Sequence, residues 1–272
     1  MTKLILAIII IIVILSLVLP ILIILLINRK HKIRLWIKIV VPVSIFLLVN
    51  TGGPLIYFSI HYQATSEVKE YLVDDSEVRV TNTSNYYLFD NISNSETSIV
   101  FYGGAKVEEK SYAPMLNKLA HQGVDVFLVK MPFCFPLFGI GKADSIYKDN
   151  NTYSSVYLMG HSLGGVCASK CLSATKYEYK GIIFLASYPD KKLDDKYKAL
   201  SIYGTNDTVL NKKEFDKHTP CLPTGYSIKT IEGGNHANYG YYGNQKGDSK
   251  ANITREQQID ITISYVMDLL NN

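Results

Sequence analysis

The stretch from Val156 to Gly165 constrains this chain more than any other. A short apolar run, Val156-Tyr157-Leu158-Met159, leads into Gly160-His161-Ser162-Leu163-Gly164, and helix-compatible residues follow from Gly165 to Leu172. G-x-S-x-G between a strand and a helix describes a sharp turn with a serine at its apex. The backbone of such a turn is strained, and side chains in place of Gly160 and Gly164 would collide with neighbouring main chain. The bare pattern occurs by chance, so its weight comes from the flanking strand and helix and from partners further along.

The surrounding segments alternate in the way that turn requires. Ser98–Tyr102 reads as a buried strand ending in Gly103-Gly104, Tyr112–His121 as an amphipathic helix and Val124–Val129 as the next strand. Val156–Met159, Ile182–Ala186, Ala199–Tyr203 and Tyr226–Ile231 continue the strands, and Thr254-Arg255-Glu256-Gln257 is a capping box opening a last helix. The pattern predicts an α/β fold with a doubly wound, mostly parallel sheet. Upstream, Glu77–Val80 and Tyr86–Phe89 flank a turn-rich segment and predict a hairpin. Residues 61–95 are thus read as a linker and N-terminal hairpin, and 96–272 as the catalytic domain.

A serine hydroxyl is a poor nucleophile unless a base takes its proton, and the base needs an orienting acid. In this layout the partners should follow in the order Ser, acid, His, each in a loop after a strand. Asp207 lies in Gly204-Thr205-Asn206-Asp207, after the strand ending at Tyr203; His236 lies in Gly233-Gly234-Asn235-His236, after the strand ending at Ile231. An isolated Asp is usually a turn residue and an isolated His a surface or core polar group, but these two share order and sheet edge. Asp190 is the rival acid. His161 is expected to shape the turn, His121 to end a helix and His218 to sit in a surface loop. For the oxyanion, the expected donors are the backbone N–H of Leu163 and that of Gly104 or Ala105.

The N-terminus carries a different signal. Leu4 to Ile27 is 24 residues without a charge. As a helix at roughly 1.5 Å per residue it spans about 36 Å, enough for a hydrocarbon core of about 30 Å. It is too long, and lacks the cleavage site, for a signal peptide. A basic cluster, Asn28–Arg34, precedes a second uncharged run, Ile39 to Ile60, interrupted by Pro42, Asn50 and Thr51-Gly52-Gly53-Pro54. That run is expected to span as well, the competing reading being an interfacial or broken helix. Residues 1–60 are read as a membrane anchor. The basic loop should stay cytoplasmic, so two spans would place the C-terminal domain outside the cytoplasm and one span inside it.

Composition excludes other classes. The net charge is +4 with scattered lysines, and no basic stripe interleaved with aromatics points to nucleic acid. Cys134, Cys167, Cys171 and Cys221 show no metal or redox spacing, and Cys167 and Cys171 read as small buried thiols in a helix. No cofactor or metal is expected.

On Gly160-His161-Ser162-Leu163-Gly164-Gly165, Gly204–Asp207 and Gly233–His236, the chain from Ser98 onward resembles the α/β-hydrolase superfamily. It is similar to its compact, lid-poor, dienelactone-hydrolase-like bacterial branch, and Gly234–Asp248 looks like the histidine loop of membrane-anchored members. The resemblance implies a catalytic triad of Ser162, Asp207 and His236. Dienelactone hydrolases carry a cysteine nucleophile where this chain has Ser162, which favours ester chemistry over lactones. The implied activity is that of a membrane-anchored serine hydrolase acting on a small-molecule or lipid-like acyl substrate. Acyl transfer with the same triad, or a non-catalytic binding module on the same fold, are the alternatives. Only residues 187–198 separate two consecutive strands where larger hydrolases insert a cap, so no large lid is expected. Met131–Phe138 and Tyr239–Tyr242 are candidates to wall the pocket or to anchor onto the core.

Overall fold

The computed structural model describes residues 3–272, which divide into two compact units after Ile60. In the first unit, α1 (Lys3–Lys30) and α2 (Leu35–Leu47) are joined by a short basic turn. After α2 the helix widens into one π turn, Leu48–Gly52, before α3 (Gly53–Ser59). The π turn is how the chain absorbs Thr51-Gly52-Gly53-Pro54 without breaking. The Gly53 N–H reaches back to the Leu48 carbonyl, while the Asn50 side chain donates to Phe46 O (2.7 Å) and Thr51 Oγ1 to Leu47 O (2.6 Å). Both side chains bond carbonyls one turn back, keeping their polar groups satisfied within the helix. Asn50 Nδ2 also donates to Ser16 Oγ (2.8 Å), tying α1 to the π turn. By length and composition, Ile10–Lys30 and Leu35–Ser59 are both long and apolar enough to cross a membrane.

The second unit is built on one eight-stranded sheet. Its strands are β1 (Val78–Asn82), β2 (Tyr86–Asn91), β3 (Thr97–Tyr102), β4 (Asp125–Val129), β5 (Ser155–His161), β6 (Gly181–Leu185), β7 (Lys198–Gly204) and β8 (Ser227–Ile231). The order across the sheet is β1-β2-β4-β3-β5-β6-β7-β8. β2 pairs antiparallel with β1 and β4, and every other pairing is parallel. The parallel pairings bring the C-terminal ends of β3 to β8 to one edge.

Helices cover both faces. On one side α4 (Ala113–His121) and α8 (Arg255–Asn271) pack Met115, Leu116, Leu119, Ile259 and Val266 against Ile99, Phe101, Met159, Leu185 and Ile202. On the other, α5 (Lys142–Asp149) and α6 (Leu163–Ala174) pack Ile146, Cys167, Ala168 and Leu172 against Val100, Leu158, Ile182 and Phe184. Alternate strand residues face opposite layers, so runs such as Ile182-Ile183-Phe184 are apolar throughout. Cys167 and Cys171 are free and buried, and burial pushes both thiols up to about 12. They stay protonated and act as small apolar groups.

α8 begins at the expected capping box: Thr254 Oγ1 accepts from Gln257 N (3.1 Å) and Gln257 Oε1 from Thr254 N (2.9 Å). The β1–β2 hairpin forms one edge of the same sheet, and ahead of it Tyr62 pairs with Val107 in an isolated parallel bridge. His218 ends a short helix, α7 (Lys212–His218), instead of lying in a loop, and stacks on Tyr188 with ring centroids 5.0 Å apart.

Candidate active site

Ser162 stands at the end of β5 and directly before α6, with φ 53° and ψ −127°. That left-handed conformation costs a non-glycine residue about 1–3 kcal/mol, so the surroundings must hold it. Ser162 N donates to Leu185 O (2.9 Å), and the buried Ser187 hydroxyl donates to Ser162 O (2.6 Å). The glycines are needed for close approach. A Cβ on Gly160 would lie 2.5 Å from Gly165 N, and one on Gly164 would strike the carbonyls of Tyr102 and Gly103. Leu163 is the first residue of α6, so its N–H has no carbonyl a turn earlier to bond and points from the positive end of the helix dipole.

The loops after β7 and β8 bring Asp207 and His236 together. Asp207 Oδ2 accepts from His236 Nδ1 at 2.8 Å, and both side chains are 1% exposed. Asp207 Oδ1 accepts from Val209 N (2.9 Å) and Leu210 N (2.8 Å), which fixes the carboxylate and satisfies its second oxygen. The bond to Nδ1 leaves Nε2 of His236 as the atom able to take a proton, and among the described residues Nε2 has no hydrogen-bond partner. Ser162 and His236 line one open pocket of about 230 Å³, with Val166, Tyr188, Val209 and Leu210 forming its apolar wall. The rival acid is elsewhere: Asp190 pairs with Lys170 (2.8 Å) on the surface. His121 ends α4, its Nδ1 at 2.9 Å from Asn117 O.

His161, beside the serine, is fully buried. Its Nδ1 lies 2.9 Å from Tyr112 Oη, and that phenol accepts from Gly104 N (2.9 Å). The Tyr112 hydroxyl therefore bridges the Gly104 N–H and the His161 ring. His161 also packs between His236 and Tyr239, at 4.6 and 5.3 Å between ring centroids. Burial, and then the neighbouring His236, hold its imidazole well below the usual histidine range, so it remains neutral. The Gly104 N–H, one of the expected oxyanion donors, is thus bonded to the Tyr112 hydroxyl in this structure.

Two side chains that pattern reading passed over brace the histidine loop. Gln258 on α8 is fully buried and clamps Asn235 from both sides: Oε1 accepts from Asn235 N (2.9 Å) and Nε2 donates to Asn235 O (2.8 Å). Asp248 accepts from Ala237 N (2.9 Å) and from Thr208 N (3.4 Å), bridging the two loops; burial raises its carboxyl. Ser187 does the corresponding work for the serine turn. The amphipathic period of α8 gives no sign that Gln258 faces inward. Met131–Phe138 do not line the pocket, and neither do Tyr239–Tyr242. Tyr239, Tyr241 and Tyr242 are core residues. Among the described residues no group of three or more His, Cys, Asp or Glu side chains could hold a metal.

Comparison with known proteins agrees with this architecture. No curated protein matches the chain by sequence. Among solved structures it is similar to Est1E from Butyrivibrio proteoclasticus (14% identity, TM-score 0.51, covering 72% of this chain and 100% of that one). It is likewise similar to a dienelactone hydrolase from Anabaena variabilis (11%, 0.51, 71% and 98%) and an esterase from Mycobacterium tuberculosis (10%, 0.53, 76% and 97%). At such identities the likeness establishes the fold. The profile of the alpha/beta hydrolase family matches residues 98–260, well over half the chain and the whole span from β3 into α8. With that match, a serine on a strained strand-to-helix turn and a buried Asp–His pair at the same sheet edge, the chain belongs to the alpha/beta hydrolase family.

Proposed function

We propose that the protein is a membrane-anchored serine hydrolase that cleaves an ester. The observation carrying this reading is the buried Asp207–His236 pair, whose unpartnered Nε2 shares a pocket with a serine held at φ 53°. His236 Nε2 takes the proton of Ser162 as its oxygen attacks the acyl carbonyl. Asp207 holds the imidazole in the required tautomer and stabilises the imidazolium. The tetrahedral oxyanion is met by Leu163 N–H at the head of α6, with Ala105 N–H as the second donor now that Gly104 is engaged. His236 then protonates the leaving alcohol, an acyl-Ser162 ester remains, and water activated by the same imidazole releases the acid.

The pocket is small and open, at the low end for a ligand site, which suits a short acyl group with the rest of the substrate outside. Openness to solvent also favours water over another acceptor, so hydrolysis is preferred to acyl transfer. The two apolar helices are assigned as spans with the basic Asn28–Arg34 turn cytoplasmic, which sets the catalytic domain outside the cytoplasm. Turnover of p-nitrophenyl esters of graded chain length by the full-length protein tests the activity. Activity on short esters that disappears in Ser162→Ala is expected; equal turnover by that variant refutes the proposal. Protease added to intact cells should degrade the domain, and protection would reverse the topology.

A further inference from the structure

Residues 62–65 open the second unit and lie outside the span matched by the family profile, which begins at residue 98. They belong to no helix and no sheet strand, yet they are bonded to two loops that border the candidate site. Beside Val107, Tyr62 N donates to Lys106 O (2.8 Å) and Tyr62 O accepts from Glu108 N (2.9 Å). Ala64 N donates to Glu108 Oε2 (2.9 Å), a third tie to the loop after β3. The histidine loop is reached as well. Thr65 N donates to Tyr241 O (2.8 Å), and Tyr62 Oη accepts from Lys246 N (3.0 Å). The Tyr62 ring lies against Tyr242, with centroids 5.6 Å apart.

These bonds act on the segment that has to supply the second oxyanion donor. Residues 103–106 leave β3 and lie in no helix or strand, so tertiary contacts must hold them. Gly104 N is bonded to Tyr112 and Lys106 N to Cys134 O (2.7 Å). Between them, Ala105 N makes no hydrogen bond among the described residues. Lys106 has left-handed backbone, at φ 60°, a conformation that persists only where the surroundings enforce it. Tyr62 takes the carbonyl side of that residue. On the histidine loop the tie runs toward the base, because Lys246 is two residues before Asp248, which accepts from Ala237 N next to His236. A bridge of two hydrogen bonds is marginal by itself, so the Tyr62 ring, packed with Tyr242 against the core, anchors it.

We propose that Tyr62 is a positioning residue for ester cleavage, fixing residues 103–106 so that their N–H meets the oxyanion formed at Ser162, and tying that loop to the one carrying His236. The assignment rests on the serine hydrolase reading above. Tyr62 touches neither the pocket nor a reacting atom and acts through the loop after β3. A displaced donor leaves ground-state binding intact and weakens only the interaction with charge that develops in the transition state. Loss of the tie therefore lowers kcat and spares KM.

The full-length protein carries the test, with active sites counted by fluorophosphonate titration to completion so that kcat refers to folded sites alone. Tyr62→Ala removes the ring that anchors the bridge, and Tyr62→Pro also removes the N–H that bonds Lys106 O. Loss of a whole oxyanion donor costs about 10²–10³-fold in kcat, so Tyr62→Ala should lose about tenfold and Tyr62→Pro about thirtyfold or more, with KM within about twofold. Tyr62→Phe keeps the ring and both main-chain bonds and should stay within about threefold of wild type. A trifluoromethyl ketone supplies the readout that a merely structural role would not move. Ser162 Oγ adds to its carbonyl, the proton passes to His236 Nε2, and the hemiketal oxyanion takes the donors. Its Ki should rise in step with the loss of kcat. A kcat per site within about threefold of wild type in either variant that folds, or a lowered kcat with unchanged Ki, overturns the proposal. A wild type with no titratable serine overturns the Ser162 reading itself, which the variants' rates alone could not do.

Discussion

Gln258→Met is the perturbation that most sharply separates positioning from chemistry. Gln258 touches neither Ser162 nor the pocket, yet its amide takes both backbone groups of Asn235, the neighbour of His236. Methionine has nearly the same volume and no hydrogen-bonding amide, so the substitution removes two bonds with little change in packing. Asn235 is 7% exposed and Gln258 fully buried, so the freed N–H and C=O cannot turn to water. Each orphaned group costs about 1–3 kcal/mol, and the pair about 2–6 kcal/mol. Against a total stability of about 5–15 kcal/mol that is a large fraction, and pulse proteolysis in urea on the full-length protein should register it. Relaxation of Asn235 also shifts His236, and a displacement of about 1 Å from attack geometry is worth about a hundredfold in rate. The expected result is a lowered kcat with KM little changed, because the pocket wall is intact. A stability loss under about 1 kcal/mol with unchanged kcat would show that the clamp is incidental.

Other substitutions test the neighbouring contacts. Asp207→Asn keeps the shape of the acid but cannot hold Nδ1 protonated, and kcat for ester cleavage should fall about 10³–10⁴-fold, measured at saturating substrate. Tyr112→Phe strands the N–H of Gly104 and Nδ1 of His161, both buried; unfolding in urea should show a loss of about 2–4 kcal/mol. The pH dependence of stability should carry the signature of His161. Its folded pKa lies below the unfolded value of about 6.5, so the unfolded chain binds the extra proton. Stability from this group is therefore whole above about pH 6.5 and falls as pH drops below it, by up to about 1.4 kcal/mol per unit, until the folded pKa is reached. Asp125 and Asp248, raised by burial, contribute with the opposite sign as they protonate at lower pH. The check is accordingly the difference between wild type and His161→Gln in urea midpoints at pH 7.5, 6 and 5, which should shrink as pH falls.

The parts of this molecule that could be read from the chain are those governed by local sterics and period. Gly160, Ser162 and Gly164 announce a turn because only glycine tolerates the main chain that crosses there, and the strands announce themselves as apolar runs ending in glycine-rich loops. Asp207 and His236 were legible because each follows such a run. What could not be read depends on partners distant in sequence. Nothing local marks Gln258 as the clamp on Asn235, or Tyr112 as the acceptor that occupies Gly104 N–H. The Thr51–Pro54 interruption reads as a break because sequence does not show that the helix can continue through it by widening into one π turn. Nor do the polar residues from His61 onward show the backbone bonds that sew Tyr62 to the loop after β3.

The central claim is that Ser162 is a nucleophile activated by His236, and a covalent trap reads it directly. The full-length protein incubated with a fluorophosphonate should gain the mass of one adduct, mapped by peptide sequencing to Ser162. The adduct should be absent in Ser162→Ala and form far more slowly in His236→Ala. An adduct on any other residue, or one that persists in folded Ser162→Ala, would contradict the account.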